Sequence, residues 1–525
     1  MPNAAPDHLH RLIHAMTRAE KRHFKLYTSR HLPGGRSSLH LLFDAVAAMP
    51  EYDPDALREK FAGQAFMRRF PITKRRLYEA VLESLDAFHA GSNVDDKVSR
   101  MLHHVEILFA KALHADAAKV LRTAADLARA HDRQPLLLQA AEWERRIMER
   151  SNYAGITDAA LAGRAKEVER AAAQWMEADA LWALKSNAFR LLWRNGQAAG
   201  REQLRELGGA PLLAQGVRPG SAYARFLHHH VRSALAFARN DLQTCEEQLE
   251  RCAQVVEREG GRLYDSAGLL LGVMGNLAHV RMRLGRHQEA LEGFRRFRQL
   301  PLMMKQAPNP DLGMKLFVMG SSLELSVRSM QGEFAKAMAC THDLEAGLER
   351  HGQQVGAVRR AELMLQAAYA CFGAGEHGQA LRWCNRLLSE KGIEGFAQVH
   401  ALGRMLNLAA LMELGRTAQL AYVVRNTQRF LRRNGPALAM EAALLDHAQA
   451  MAKGMDANSL RAAWPLLHAR LAAHANGPCA ALLDQVDFLL WAQAKAEGRS
   501  FGELVRDRWQ ARHRGPAAAN PQRAA

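Results

Sequence analysis

The sequence is poor in anything that could cross-link it. Its six cysteines, Cys245, Cys252, Cys340, Cys371, Cys384 and Cys479, form no C-x-x-C pair. Zinc ribbons and thioredoxin-like redox motifs therefore have no support. Six cysteines among 525 residues are also too sparse for a disulfide framework. Most fall at apolar helix positions, where a free thiol packs as a small hydrophobe. Long hydrophobic runs are missing too. The longest uncharged run, Ser266 to Val280, spans fifteen residues and contains Gly272, Gly275 and His279. A bilayer-crossing helix needs about 20 apolar residues. Met1 to Arg22 lacks the apolar segment of a signal peptide. The expectation is a soluble, cytoplasmic chain with no membrane partner. Aromatic residues make up only 7%. No stretch alternates apolar and polar residues with a period of two, so strands are not expected.

The usual catalytic signatures are absent as well. There is no Gly-Lys dipeptide, which excludes a P-loop in its usual form, and no His-Glu dipeptide, which excludes a zincin helix. One G-x-S-x-G string occurs, Gly498-Arg499-Ser500-Phe501-Gly502. A nucleophile elbow needs a strand before the serine and acid and His partners after it. Here a helical pattern precedes it and the chain ends soon after, so it reads as a turn between helices. The 24 histidines invite a metal reading. His228-His229-His230 point about 100° apart on a helix and cannot share one ion. His103 with Glu106, and His10 with His14, form pairs without a third ligand. Glu142, Glu144, Glu246 and Glu247 read as solvated helix faces. The chain is expected to be no enzyme, with no catalytic residue, metal or cofactor site.

What the sequence does have is alanine, leucine and positive charge. Ala and Leu lead the helix scale, so an all-α protein is expected. The 71 basic and 54 acidic residues give a net charge of +17. That balance favours acidic partners, but arginine far outnumbers lysine, as a GC-rich genome alone would produce.

The helices follow a repeat. Its sharpest copy runs from Ala278 through Gly285, Ala290, Phe294 and Phe297 and is closed by Pro301. A small residue stands seven before a turn glycine. An Ala stands five after it, with contact residues four and then three further on. The glycine ends the first helix in a left-handed conformation. Small residues let two antiparallel helices approach closely. The frame returns at Gly332 (Phe334, Ala337), Gly375 (Ala368, Ala380, Cys384) and Gly415 (Leu420, Val424), with weaker copies at Asn240 and Ala112. These residues resemble the tetratricopeptide repeat. The turn glycines are 47, 43 and 40 residues apart, wider than the ~34 of the tight tetratricopeptide unit. The resemblance implies an α-α superhelix, a helix-pair solenoid, that binds other proteins.

The expected organisation is a small helical head at 1–93, first helical repeats at 94–198, tetratricopeptide-like repeats at 221–435, capping helices at 436–514 and a disordered tail at 515–525. In the head, Thr17 with Glu20 makes a capping box, and Thr73 is expected to cap a long helix. Two long helices are expected between Thr157 and Asn195, and a loop-like joint from Gly200 to Gly220.

A solenoid's first helices line its concave side. Residues just after the small contact position, and those three or four further on, should face the groove. This selects His230, Phe237, His279, Met282, Arg283, Tyr369, Phe372 and Met412. Such a lining suits an amphipathic helix or hydrophobic peptide of another protein. Tetratricopeptide proteins that grip acidic C-terminal tails line the groove with Lys, Arg and Asn, and only Arg283 fits that pattern here. The chain is expected to be a non-enzymatic interaction scaffold of unknown oligomeric state. The alternative lies in the head. Arg68, Arg69, Lys74, Arg75 and Arg76 bracket a helix start, where a basic first turn resembles the helix-turn-helix layout. A head of that kind on helical repeats resembles peptide-sensing bacterial transcription regulators, with nucleic acid as a candidate partner. Residues 1–91 carry 14 basic and 10 acidic residues, a small excess for that role.

Overall fold

The protein is described here by a computed structural model covering residues 7–29, 38–91, 93–195, 201–303, 310–393, 397–434, 438–475, 479–483 and 485–513. Among these residues every regular element is a helix. None of those helices is long and apolar enough to cross a membrane. The expected tail at 515–525 lies outside the described residues, as do Pro33-Gly34-Gly35. The chain divides into two compact units, Met1–Ala172 and Ala173–Ala525.

The first unit opens with the head. Its helices are His8–Ala15, Arg18–Ser29, Ser38–Ala48, Pro54–Lys60 and Phe70–Phe88. Ile13, Phe24, Phe43, Leu77 and Val81 form its buried core, with the Phe24 and Phe43 rings stacked at 4.4 Å. The capping box is present. The Thr17 N–H donates to Glu20 Oε2 at 2.6 Å, and the Glu20 N–H donates to Thr17 Oγ1 at 3.2 Å. His10 and His14 are tied to the carbonyl oxygens of Met49 and Val46, 2.9 and 3.2 Å away. They close the end of the Ser38–Ala48 helix. The last head helix begins three residues before Thr73, with Pro71 in its first turn, where a missing N–H costs nothing. Thr73 instead donates its hydroxyl back to the Arg69 carbonyl at 3.3 Å. Helices Val94–Ala110, His114–Ala130 and Gln134–Arg150 follow in the same unit. Asp158–Asn195 is a single helix of 38 residues, not two. No breaker interrupts it, because Gly163 is tolerated inside a long Ala-rich helix.

The second unit is built from antiparallel helix pairs stacked in chain order. They are Ala222–Ala238 with Leu242–Glu259, Ser266–Arg283 with His287–Met303, and Pro310–Met330 with Phe334–His351. Next come Ala357–Gly373 with His377–Leu388, Ala397–Glu413 with Thr417–Asn434, and Ala439–Ala452 with Ala457–Ala473. Each helix packs on its pair-mate and on the next pair, which makes an α-α superhelix. The stretch expected as a loop, Gly200–Gly220, contains the short helix Arg201–Gly208. Pro301 does not stop its helix, which continues to Met303.

The turn frame is explicit in the backbone. Gly285, Gly332, Gly375 and Gly415 have φ of 77°, 70°, 83° and 63°. Asn240 and Ala112, the weaker copies, take the same left-handed conformation at 61° and 59°. Five residues after these turns, Ala290, Ala337, Ala380, Leu420, Cys245 and Ala117 are all buried. The positions seven before, Ala278, Leu325, Ala368, Leu408, Ser233 and Val105, are buried too.

One polar contact joins two of the pairs. Glu246, expected on a solvated face, has a side chain only 4% exposed. Its carboxylate accepts from Arg281 Nε at 2.9 Å and from Arg286 Nη1 at 2.6 Å, while Arg281 also reaches Glu250 at 2.7 Å. Removing one partner of a buried pair strands the other. Glu246→Ala is therefore expected to cost about 3–5 kcal/mol, against about 1 kcal/mol or less for Glu250→Ala, whose carboxylate is half exposed. Ala290→Phe should overpack its contact by about 1–3 kcal/mol. Thermal melts of the three variants check this ranking, and an unshifted Glu246→Ala melt would contradict it.

Candidate functional site

The face of the second unit formed by its first helices is the candidate site. An α-helix turns about 100° per residue. The position six before the turn glycine lies about 100° from the buried small residue at minus seven. The position at minus two lies about 140° away, but minus three only about 40°. The structure sorts most of the expected lining by that rule; Phe237, at minus three before Asn240, is the exception and stays half-buried. At minus three, Met282, Phe372 and Met412 are buried. These three are core, which corrects their placement in the groove. At minus six and minus two, His279 is exposed and Arg283 half-buried.

At the first pairs of this unit the face keeps an aromatic and basic character. The Arg283 guanidinium sits 5.4 Å from the Phe237 ring centre and donates to Asn240 Oδ1 at 2.8 Å. Phe237 is half-buried, 6.1 Å from the His279 ring. His279 meets solvent on one side and is enclosed by repeats on the others. That desolvation, reinforced by the Arg283 cation, pushes its pKa down. His230 lies deeper, against Phe189 and Phe226 at 5.1 and 5.4 Å. Burial and the nearby Lys185 cation push its pKa down to about 4, so it is neutral at physiological pH. Its neighbours point elsewhere, His228 to the Leu212 carbonyl oxygen and His229 to Gln248 Oε1.

Further along, the same face is covered by the chain itself. The C-terminal helices Phe488–Glu497 and Phe501–His513 lie on it. Gly498 joins them in a left-handed turn at φ 67°, so the G-x-S-x-G string is the link between two helices. Tyr369 packs between Phe334 and Phe501 at 5.6 and 6.2 Å, and its hydroxyl hydrogen-bonds the backbone of Asp487. Burial pushes the Tyr369 pKa up. Phe372 meets Trp491 at 5.8 Å and Phe501 at 6.1 Å. Tyr369 is thus an occupied position of the groove, not an open one, and Phe372 is core beneath the same C-terminal helices. The C-terminal helices do more than close the end of the solenoid.

The residue that holds them is Glu413, at minus two in its repeat, which spacing alone did not single out. The Trp491 indole N–H donates to Glu413 Oε1 at 2.7 Å, and Lys495 Nζ to Oε2 at 3.0 Å. His377 Nε2 stands 3.9 Å from the same oxygen. Burial lowers the His377 pKa, and Glu413 offsets part of that. The closest approaches occur at glycines. A side chain on Gly332 would strike the Arg506 backbone, with its Cβ 2.6 Å from the nitrogen. Gly502 lies against the Gly373 carbonyl, and Phe334 fills the space a Gly373 side chain would need.

In the head, Arg68, Arg69, Arg75 and Arg76 are exposed, with Arg75 tied to Glu79 at 2.8 Å. Lys74 is not available as a surface cation. It is half-buried, bound to the Asp7 carboxylate and donating to the Tyr52 hydroxyl at 3.0 Å. The 3-10 helix Ala65–Arg69 runs directly into Phe70–Phe88, and the short helix before it is Pro54–Lys60.

Glu413→Ala would leave the buried Trp491 N–H without an acceptor, at a cost of about 1–3 kcal/mol. Hydrogen exchange over Phe488–His513 should then speed up selectively, while Ala357–Gly373 stays protected. Unchanged exchange in the C-terminal helices would show that Glu413 does not hold them.

No protein-family model matches this chain, and no curated protein matches it in sequence.

Proposed function

We propose that the chain is a non-enzymatic interaction scaffold that binds a helical or extended segment of a partner protein on the face of its first helices. One observation carries this reading: an amphipathic helix already sits on that face. Phe501, Leu504 and Val505 of the last helix pack with Phe334 and Tyr369. The helix before it contributes Trp491 and Lys495 to Glu413. This is the helix-in-groove mode, with apolar anchors on one side and a charge-assisted contact at the rim. The segment around Phe237, His279 and Arg283 belongs to the same face and is exposed at His279. It offers an aromatic ring, a neutral imidazole and a guanidinium, groups that serve as anchors for apolar and acidic side chains.

The regulator reading has only the head's exposed arginines behind it. Its fifth cation, Lys74, is spent on Asp7.

A photo-crosslinking residue at His279 tests the scaffold directly. In the source cell it should yield a defined protein adduct that the same probe at exposed Leu466, on a second helix, does not. Arg283→Glu should weaken capture of that partner by about 2 kcal/mol or more while the melting temperature stays put. Equal labelling from both probe positions would overturn the assignment to this face.

A further inference from the structure

The opposite side of the second unit carries a pattern that the scaffold reading leaves unused. Between Glu413 and Glu441 the chain contains no acidic residue. Within that stretch, the helix Thr417–Asn434 carries Arg425, Arg429, Arg432 and Arg433, all exposed. At about 100° per residue they share one stripe with Tyr422. None of the four has an ion-pair partner among the described residues. Other exposed arginines of the chain are either tied to an acid, as Arg145, Arg146 and Arg470 are to Glu142 or Asp446, or stand singly, as Arg122 and Arg170 do; here four gather on one helix with no acid in the stretch. Tyr422 is 61% exposed.

Beside Tyr422 lies a shallow groove between this helix and His377–Leu388. Its lining includes Leu381, Asn385, Asn407, Gln419 and Tyr422. Asn407 is only 2% exposed and forms part of the floor. Its amide N–H donates to Asn385 Oδ1 at 3.0 Å, while its own Oδ1 has no hydrogen-bond partner. A buried carbonyl left without a donor is costly, and most buried acceptors are satisfied. Exposed amides of Asn385 and Gln419 stand at the rim.

Three demands meet here. The arginines want phosphates or carboxylates, which their planar forks bind bidentately. The exposed ring offers a flat stacking surface. The exposed amides of Asn385 and Gln419 can exchange hydrogen bonds with a flat polar edge. An acidic helix would answer only the first demand. A nucleobase has a π face and N–H groups on its edge, and it is tied covalently to phosphate. Bases are free to enter such a groove only where the strand is unpaired.

We propose that this outer face binds single-stranded nucleic acid. A base enters the groove and stacks on Tyr422, and its edge meets the exposed amides of Asn385 and Gln419. The flanking phosphates run along Arg425, Arg429 and the Arg432–Arg433 pair, over about 12 Å of helix.

The test uses the full-length chain and fluorescein-labelled 12-nucleotide single strands, both RNA and DNA, in anisotropy titrations from low to moderate salt. Binding should weaken with salt at a log–log slope near −2 to −3, because three or four neutralised phosphates each contribute about −0.7. Replacing Arg425, Arg429, Arg432 and Arg433 by Gln should remove most of that slope. Tyr422→Ala should weaken binding by about 5- to 150-fold, the range for loss of one stacked base. All five side chains are exposed, so the melting temperature should not move. The same length of duplex should bind more weakly, and replacement of Arg68, Arg69, Arg75 and Arg76 in the head should change nothing. Failure to bind at low salt would overturn the proposal, as would binding indifferent to the four-arginine variant or lost only with the head arginines. A polyglutamate peptide bound as tightly as the strands, together with no effect of Tyr422→Ala, would overturn it in favour of an acidic protein partner.

Discussion

The second unit depends on how closely two antiparallel helices can approach just before and just after each turn. At Ala290, Ala337 and Ala380 the contact is made by a methyl group with no exposed surface to spare. A small residue there brings the backbones together. The left-handed turn residue then reverses the chain without a loop long enough to let the pair splay. Everything else in the unit is referred to that contact. The residues four and seven positions beyond it, such as Cys384 and Leu387, are carried onto the next pair. The first-helix face is fixed by angle from it. Where glycine is not used for the turn, Asn240 and Ala112 accept the strained conformation instead. Packing on both sides therefore outweighs a local cost that only glycine avoids.

That constraint is periodic, and this is why the architecture was legible in the sequence. Turn residues, small residues and apolar contacts recur at fixed offsets, so the helix pairs could be placed from spacing alone, including the copies without glycine. The candidate site was legible only in part. Stepping three residues on from the position just after the small one lands near the core, while stepping four lands on the face. Met282, Phe372 and Met412 were placed by the first step and Arg283 by the second. The angular difference is a single helical residue, and a sequence pattern does not choose between them. Glu413 escaped notice because an acid at a helix end is ordinarily a solvated group. Its role appears only when Trp491 and Lys495 arrive from some 80 residues further along.

The same kind of long-range packing adds a second reason at two places whose local reading holds. Gly332 has a local reason to be glycine, its φ of 70°, and nothing in the sequence signals the second reason, the Arg506 backbone pressed against it. The G-x-S-x-G string is likewise shaped by packing. Gly498 makes the turn, and Gly502 lets the last helix lie on the Gly373 carbonyl beneath Phe334. Contacts at such separation carry no period, so no offset rule reaches them. Glu246 is the polar counterpart. It was expected in water because it stands beside the exposed Glu247, yet a helix places neighbours about 100° apart, and Arg281 and Arg286 of the next pair enclose it.

The two faces of the second unit end with opposite chemistry, and the reason is local. Along the inner face, charge is admitted where it is answered, as Lys495 answers Glu413. On the outer face of Thr417–Asn434 the balance fails, because no acid lies between Glu413 and Glu441 to answer four arginines. A net charge of +17 spread evenly would say little about partners. The same charge gathered on one exposed helix face, beside an uncovered tyrosine and the exposed amides of Asn385 and Gln419, has a direction. Unpaired guanidiniums at this spacing repel one another and destabilise the bare helix slightly. A polyanion laid along them turns that repulsion into attraction, and the energy released on binding is larger for having been withheld in the free protein. A solenoid that carries its own helices on one side can thus present an unsatisfied surface on the other, and the two surfaces can be altered independently because they share no residue.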